Sequence, residues 1–507
     1  MSETPPAAPA VSRRDVARGA GLAGLSRAAS MIEAVAQPVY TWLFGLATYG
    51  LYVVLWGAVN LASNIVDLSM TSALQRIVPA EEGEEPRILA LVKTAFLLAL
   101  TPAILLAALV SWQAEWVSSF FSAAPQDRDS LATAVALFAW AIPLWTFIEV
   151  ATSAARARRA FGPEIRLRLF WEQIARVIFA VGFFLLGAGN LGLVAAHLCS
   201  LALTAALCLR LVGRYYDLRA LLRAPLSRAC VKALLPTGIA LLPANISRRL
   251  LIDAPPLVLN LMLAGTAGAL SAGLFEIARK ISTVPLAVRQ AFQYVMAPLS
   301  SAQAKADRSQ IAPLYSFASR VSTALVVPLA GYLIFAGTDI LSVYRDGAKA
   351  ALPLLYILVA ARGIEAIVGP ATPIVEMVGH RVLPLLNSLI GVFIWGVLTL
   401  VLVPRYGALG MAIAVGIATV ATAYAAVIEL RRSDGLWPFE RRLFQGLGIA
   451  LVGVLLMGGT EYLLNGPLRF AIVSVLWAIT SWCALRFGLV RGDREALGGL
   501  SRRLRLI

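Results

Sequence analysis

The chain has 507 residues, 59% of them hydrophobic and only 14% charged, with a mean hydropathy of +0.78 and a net charge of +16. Soluble domains are about 25% charged, so a water-soluble globule is excluded, and apolar runs that do not alternate exclude a β-barrel, leaving helices as the spanning form. The basic surplus does not point to nucleic acid, because the arginines cluster at the ends of apolar runs and no basic domain lies outside them.

A spanning helix needs about 20 mostly apolar residues. Fourteen such segments are predicted, near 19–44, 48–75, 88–111, 131–155, 168–187, 190–212, 232–261, 266–296, 316–337, 350–378, 383–403, 408–430, 443–464 and 468–488. Before them, 1–17 is Pro/Ala-rich and predicted to be a disordered tail. Ser12-Arg13-Arg14-Asp15 has the form of a twin-arginine signal. It is read as the basic flank of the first span, because no convincing cleavage site follows.

Alternate loops differ in charge. Arg156, Arg158, Arg159, Arg166 and Arg168 follow span four, and Arg210, Arg214, Arg219, Arg223, Arg228 and Lys232 follow span six. Arg431, Arg432, Arg441 and Arg442 follow span twelve, and the C-terminal tail is also arginine-rich. Intervening loops are poor, with Arg128, Arg345, Lys349 and Arg405. This places the rich loops and both termini in the cytoplasm. The acidic loop Glu81, Glu82, Glu84, Glu85 dissents, but acidic residues count little in this rule.

The chain repeats itself. Tyr49-Gly50-Leu51-Tyr52 in span two corresponds to Ala272-Gly273-Leu274-Phe275 in span eight, 223 residues on. Asn190-Leu191-Gly192-Leu193-Val194-Ala195 corresponds to Ala408-Leu409-Gly410-Met411-Ala412-Ile413, 218 residues on. Copies six spans apart share orientation, which is a parallel repeat about an axis along the membrane normal. The expected organisation is an all-α integral membrane protein of about 14 transmembrane helices. A six-helix bundle over 18–213, a cytoplasmic linker 214–231 and a pseudo-symmetric six-helix bundle over 232–430 are followed by a helix pair at 443–488 and a basic cytoplasmic tail, 489–507.

Ionisable residues inside a bilayer are costly and turn inward or toward water. Span one has Arg27, Glu33 and Gln37; span four has Glu149; span ten has Arg362, Glu365 and Glu376. Asn60, Asn64 and Asp67 form an i, i+4, i+7 stripe in span two. Glu172–Arg176, Arg249–Asp253 and Glu276–Lys280 are i,i+4 pairs of opposite charge, and Arg362–Glu365 is an i,i+3 pair. Such pairs lock helices together or line a hydrated cavity. Basic residues outnumber acids in spans one, seven and eight, where Arg27, Arg248, Arg249, Arg279, Lys280 and Arg289 lie. A guanidinium suits phosphate oxygens, so these residues favour an anionic phosphorylated substrate over a cationic drug. Pro236, Pro243, Pro255, Pro256, Pro285, Pro370 and Pro373 are expected to kink spans seven, eight and ten.

Four scattered cysteines and two isolated histidines suggest neither a disulfide framework nor a metal site, and no cofactor is expected. There is no G-x-x-x-x-G-K-[ST] loop and no loop long enough to fold as a catalytic domain, so the chain is not expected to be an enzyme.

Phe44-Gly45-Leu46-Ala47-Thr48-Tyr49-Gly50-Leu51-Tyr52, followed by Asp67-Leu68-Ser69-Met70-Thr71-Ser72-Ala73-Leu74-Gln75-Arg76-Ile77-Val78-Pro79, resembles the opening of the Wzx-type polysaccharide flippases. These belong to the multidrug/oligosaccharidyl-lipid/polysaccharide (MOP) exporter superfamily. Pro298-Leu299-Ser300 and Pro404-Arg405-Tyr406-Gly407-Ala408-Leu409-Gly410-Met411-Ala412 extend the resemblance to about 15–490. It implies two six-helix bundles around a V-shaped cavity. It also implies ion-coupled movement of an undecaprenyl-diphosphate-linked oligosaccharide to the outer leaflet, for O-antigen, capsule or exopolysaccharide. Asp67 and Asp253 fall where that family often places acidic residues, which implies an ion-coupling role for them. Diphosphate binding is expected at Arg27, Arg248, Arg249, Arg279 and Lys280, with the prenyl tail left among membrane lipids. Polymerase and glycosyltransferases of the same pathway are the expected protein partners. A multidrug antiporter of the same superfamily is the first alternative. A lipid II flippase ranks lower, because Arg27 stands alone beside Arg18 where that branch has a cavity arginine pattern. A non-transporting scaffold for biosynthetic enzymes is a reading of a different class.

Overall fold

The computed structural model describes residues 35–81, 83–158, 160, 165–286, 288, 311–369, 371–377, 383–464, 466–497 and 499–506. Among these residues there is no strand. Arg27, Arg289, Pro298-Leu299-Ser300 and the N-terminal tail lie outside them.

Among the described residues, eleven helices are long and apolar enough to cross a membrane. Three predicted spans fall outside that set for separate reasons. Only the end of the first is described, as helical residues 35–44. The fifth is split between a π-helix, Ile165–Trp171, and a shorter α-helix. The eighth carries Glu276, Arg279 and Lys280 within 18 residues.

Helix α1 (Leu46–Val66) starts after Gly45, whose φ of 87° ends the preceding helix. It stops at Asp67-Leu68-Ser69, and α2 (Met70–Ile77) completes the second span. Then follow α3 (Glu85–Trp112), and α4 (Pro125–Ala139) with α5 (Ala141–Ala157) as one bent span. After the π-helix come α6 (Glu172–Leu185) and α7 (Gly192–Tyr215), which close the first half. The second half begins with α8 (Arg228–Met262), 35 residues with four internal prolines, and α9 (Gly265–Ser282). It continues with α10 (Ile311–Phe335), α11 (Leu352–Ile367) and α12 (Ala371–Met377), then α13 (Leu383–Tyr406) and α14 (Ala408–Asp434). The last pair, α15 (Arg441–Leu463) and α16 (Gly466–Gly488), packs on α10.

The halves meet where α1 packs against α8 and α9. Small residues permit the approach, as is usual for helices in lipid, where packing replaces the hydrophobic drive. A Cβ at Gly50 would lie 1.9 Å from the Ala269 carbonyl oxygen, and one at Gly57 2.8 Å from the Asp253 oxygen. Gly273 would meet the Gly50 Cα at 3.0 Å. These glycines set the distance between halves, and so the width of what lies between them.

The break in span two has its own chemistry. Leu68 and Ser69 sit in the left-handed region at φ 51° and 57°, which costs a non-glycine residue energy. Asp67 holds the break by accepting from the Ser69 N–H at 2.6 Å and from the Thr71 hydroxyl at 3.2 Å. Gly238 of α8 leaves room for the Leu68 carbonyl, since a Cβ there would lie 2.3 Å from that oxygen. The polar stripe Asn60, Asn64, Asp67 therefore ends at a discontinuity, where its spacing had suggested one helix.

Candidate functional site

Two cavities adjoin each other, one between the halves and one within the second half. The smaller, about 240 Å³, is walled by Trp56 and Asn60 of α1, Trp145 of α5, Arg168 of the π-helix and Arg176 of α6. From the other half come Arg249 and Asp253 of α8 and Glu276, Arg279 and Lys280 of α9. Five basic and two acidic side chains thus face one space, contributed by both halves.

The charges are cross-linked. Glu149 of α5 accepts from Arg168 at 3.1 Å and from Arg249 at 3.4 Å, so it ties the first half to α8. Arg249 also approaches Asp253 at 3.6 Å. Arg279 grips Glu276 through two contacts of 2.7 and 2.6 Å, the fork geometry of a strong guanidinium–carboxylate pair. Lys280 lies 3.9 Å from the same carboxylate. Arg249 keeps a third of its surface exposed, 33%, which leaves donors for a ligand.

The larger cavity, about 430 Å³, belongs to the second half. Arg248 of α8, Arg279 of α9, Arg362 and Glu365 of α11, and Asn387 of α13 line it with threonines of α14. Ile252 and Arg279 line both cavities. Arg248 and Arg249 are neighbours in sequence, yet helix geometry turns successive side chains about 100° apart, which gives one to each cavity.

A buried polar cluster backs the smaller cavity. Arg176 pairs with Glu172 one turn away and donates to the Tyr52 hydroxyl at 3.2 Å. Tyr52 in turn shares a hydrogen bond of 3.0 Å with Nδ1 of His197, which packs against Trp56 at 4.1 Å between ring centroids. Ser200 donates to Glu172 at 3.2 Å. Among the described residues no group of His, Cys, Asp and Glu could hold a metal ion, and His197 is a hydrogen-bonded core residue.

Of the residues singled out in the sequence, Arg249, Arg279, Lys280 and Asp253 line the smaller cavity, while Arg248 joins Arg279 at the larger one. Asp67 is buried at the helix break and lines neither. Arg168, read from sequence as part of a cytoplasmic loop, is carried inward by the π-helix to Glu149 and over the ring of Trp145, 4.4 Å from its centroid. Nothing in the local sequence marks that π-turn. The ion pair Arg320–Asp493, with Glu440 as second partner, was not anticipated either. Only its large separation in sequence hides it, and it fastens the short helix Arg491–Ala496 to α10.

The family described as "Polysaccharide biosynthesis protein" matches residues 39–344. No curated protein matches the chain. Among solved structures, the lipid II flippase MurJ in an inward closed conformation superposes with a TM-score of 0.72 at 14% identity, covering 91% of this chain and 97% of that one. A MOP superfamily transporter from Pyrococcus furiosus, described as having a binding pocket of reverse polarity, gives a TM-score of 0.60 at 13% identity, over 82% of this chain and 94% of the other. A Vibrio cholerae MATE transporter gives 0.59 at 14% identity, over 83% and 99%.

Proposed function

The chain belongs to the polysaccharide biosynthesis protein family and has the fold of MOP superfamily transporters, and on that premise we propose that it is a flippase for a polyprenyl-diphosphate-linked oligosaccharide. The substrate passes from the cytoplasmic to the outer leaflet of a bacterial inner membrane, with both termini of the chain in the cytoplasm. The two halves, 18–213 and 232–430, rock about their seam to open the cavity to either side in turn. The observation that carries this reading is the smaller cavity, in which Arg168, Arg176, Arg249, Arg279 and Lys280 outnumber Asp253 and Glu276 on the wall and still leave one basic group in excess when their partners Glu149 and Glu172 are counted.

The diphosphate docks on Arg249, Arg279 and Lys280, with Arg248 at the adjoining cavity; Arg27, the remaining basic residue of this proposal, lies outside the described residues. Arginine's planar fork fits phosphate oxygens in pairs, and a partly desolvated cavity strengthens each contact. The glycan crosses through the hydrated interior while the prenyl chain stays in lipid. Asp253 is the better placed of the two acidic residues for ion coupling, because it faces the cavity beside Arg249, whereas Asp67 is occupied in the helix break. A cation bound at Asp253 during return of the empty carrier competes with Arg249 for the carboxylate.

The surplus of basic groups speaks against the multidrug antiporter reading, since a cationic drug would meet like charge in the cavity. A lipid II flippase would use the same diphosphate chemistry. The test for all three is to delete the gene and analyse surface polysaccharide and prenyl-linked glycans together. Loss of surface polymer with complete lipid-linked repeat units retained inside supports the proposal. Accumulation of lipid II moves it to that substrate, and drug sensitivity with unchanged glycans overturns it.

A further inference from the structure

The two cavities are chemically unlike. Among the described residues, Ser282, Thr283, Thr372, Ser388, Thr419 and Thr422 bring six hydroxyls to the larger one and none lines the smaller. Several of these already donate to a carbonyl of their own helix: Ser388 to Pro384 at 2.9 Å, Thr422 to Ala418 at 3.0 Å and Ser282 to Arg279 at 2.7 Å. A hydroxyl so engaged keeps its lone pairs and acts as an acceptor. Asn387 adds a sharper signal. It is only 3% exposed, its amide nitrogen donates to Glu429 at 2.6 Å, and among the described residues its Oδ1 has no hydrogen-bond partner. The carboxylate partner fixes which amide atom is oxygen, because an ionised carboxylate only accepts. A buried acceptor without a donor is costly, and Asn387 borders this cavity, so a ligand donor that the amide turns to meet would relieve that cost.

The larger cavity therefore has an acceptor wall on α13 and α14 and a donor wall of guanidiniums on α8 and α11. A sugar ring carries hydroxyls that donate and accept around its edge, and it matches that pair of walls. The smaller cavity offers a sugar less. Its Trp145 face is covered by Arg168, and its Trp56 is packed against His197. We propose that the two cavities divide the substrate, the smaller taking the diphosphate and the larger taking a sugar residue of the attached glycan. This rests on the flippase reading above and assigns parts of the ligand to named walls. The volume of about 430 Å³ lies within the range of small-molecule sites.

The test uses the full-length chain in lipid nanodiscs and two ligands: undecaprenyl diphosphate, and the lipid-linked glycan extracted from cells lacking the protein. Asn387→Leu and Thr422→Val are expected to weaken glycolipid binding by roughly tenfold, the scale of one lost buried hydrogen bond. They leave undecaprenyl diphosphate within about twofold of the unaltered chain. Thr422→Ser, which keeps the hydroxyl, retains glycolipid binding and gives the comparison should Asn387→Leu not fold. Arg249→Ala weakens both ligands. Equal loss of both ligands in the Thr422→Val protein, or no loss of either, overturns the division between cavities. Failure of the unaltered chain to bind either ligand overturns the flippase reading itself.

Discussion

Gly50 and Gly273 pack against each other across the seam, so two glycines related by the sequence repeat are also partners in space. A Cβ on Gly273 would lie 3.0 Å from the Gly50 Cα, and one on Gly50 would overlap the Ala269 carbonyl. Residues equivalent under a two-fold operation touch only where they lie near its axis. The contact therefore lies close to the axis that relates the two halves.

Substituting Gly50 with alanine is expected to push α1 from α9 and lower stability by about 1–3 kcal/mol, the usual cost of overpacking. Gly448→Ala is the control, since nothing lies within 4 Å of a Cβ there. Thermal unfolding in detergent should show a clear drop for the first and little change for the second.

Arg249→Ala is expected to abolish export while leaving the fold intact. Glu149 keeps its contact with Arg168 at 3.1 Å when Arg249 is removed, and Asp253, which meets Arg249 at 3.6 Å, lines the cavity and can be solvated from it. Surface polysaccharide should fall at least roughly tenfold, as for loss of one charge-assisted contact to phosphate, at unchanged protein level. Normal export at normal expression would remove Arg249 from the binding site.

Glu172 and Arg176 form a buried pair, and removing one partner strands the other. Glu172→Gln should destabilise the protein by about 3–5 kcal/mol, and Arg176→Met by a similar amount. The double variant should recover much of the loss. A double-mutant cycle on melting temperature checks this, and simple additivity of the two losses would contradict it.

Asp67 and Asp253 should part company. Asp253→Asn is expected to leave an expressed, folded protein whose transport in vesicles no longer follows the imposed ion gradient. Asp67→Ala should chiefly reduce stability, because it removes the acceptor for the Ser69 N–H. Gradient-driven transport and melting temperature, measured on both variants, distinguish the roles.

Arg320→Gln should release the C-terminal segment. Arg320 meets Asp493 at 2.7 Å and Glu440 at 2.6 Å, and the end of the chain is further held by Trp482 donating to the Leu504 carbonyl at 2.9 Å. Limited proteolysis should cut the variant near residues 491–506 at protease levels that leave the unaltered chain whole.

Local spacing in the sequence was enough to pair Glu172 with Arg176, Arg249 with Asp253 and Arg362 with Glu365, because i,i+3 and i,i+4 neighbours meet on any helix. It was not enough to place Glu149 between Arg168 and Arg249, since that contact depends on how α5, the π-helix and α8 are arranged in space. Nor did it show that Arg248 and Arg249 serve different cavities, which depends on how α8 is turned about its axis. The break after Val66 was hidden for another reason. Asp67 itself replaces the lost helical bonds, so Leu68 and Ser69 take left-handed conformations without the glycine or proline that usually announces a turn.

The prolines of α8 carry one more implication. Pro255 and Pro256 have no N–H to give, so the carbonyls of Leu251 and Ile252 lose their helical donors. Both residues border the larger cavity. Two such carbonyls facing hydrocarbon would be prohibitive, whereas facing water they are solvated. A hydrated cavity beside Leu251 and Ile252 is one source of donors for the two freed carbonyls, and so favours α8 remaining one 35-residue helix. A variant that filled the space with apolar side chains would strip solvent from this backbone, and its first symptom would be unfolding of α8 rather than a blocked passage.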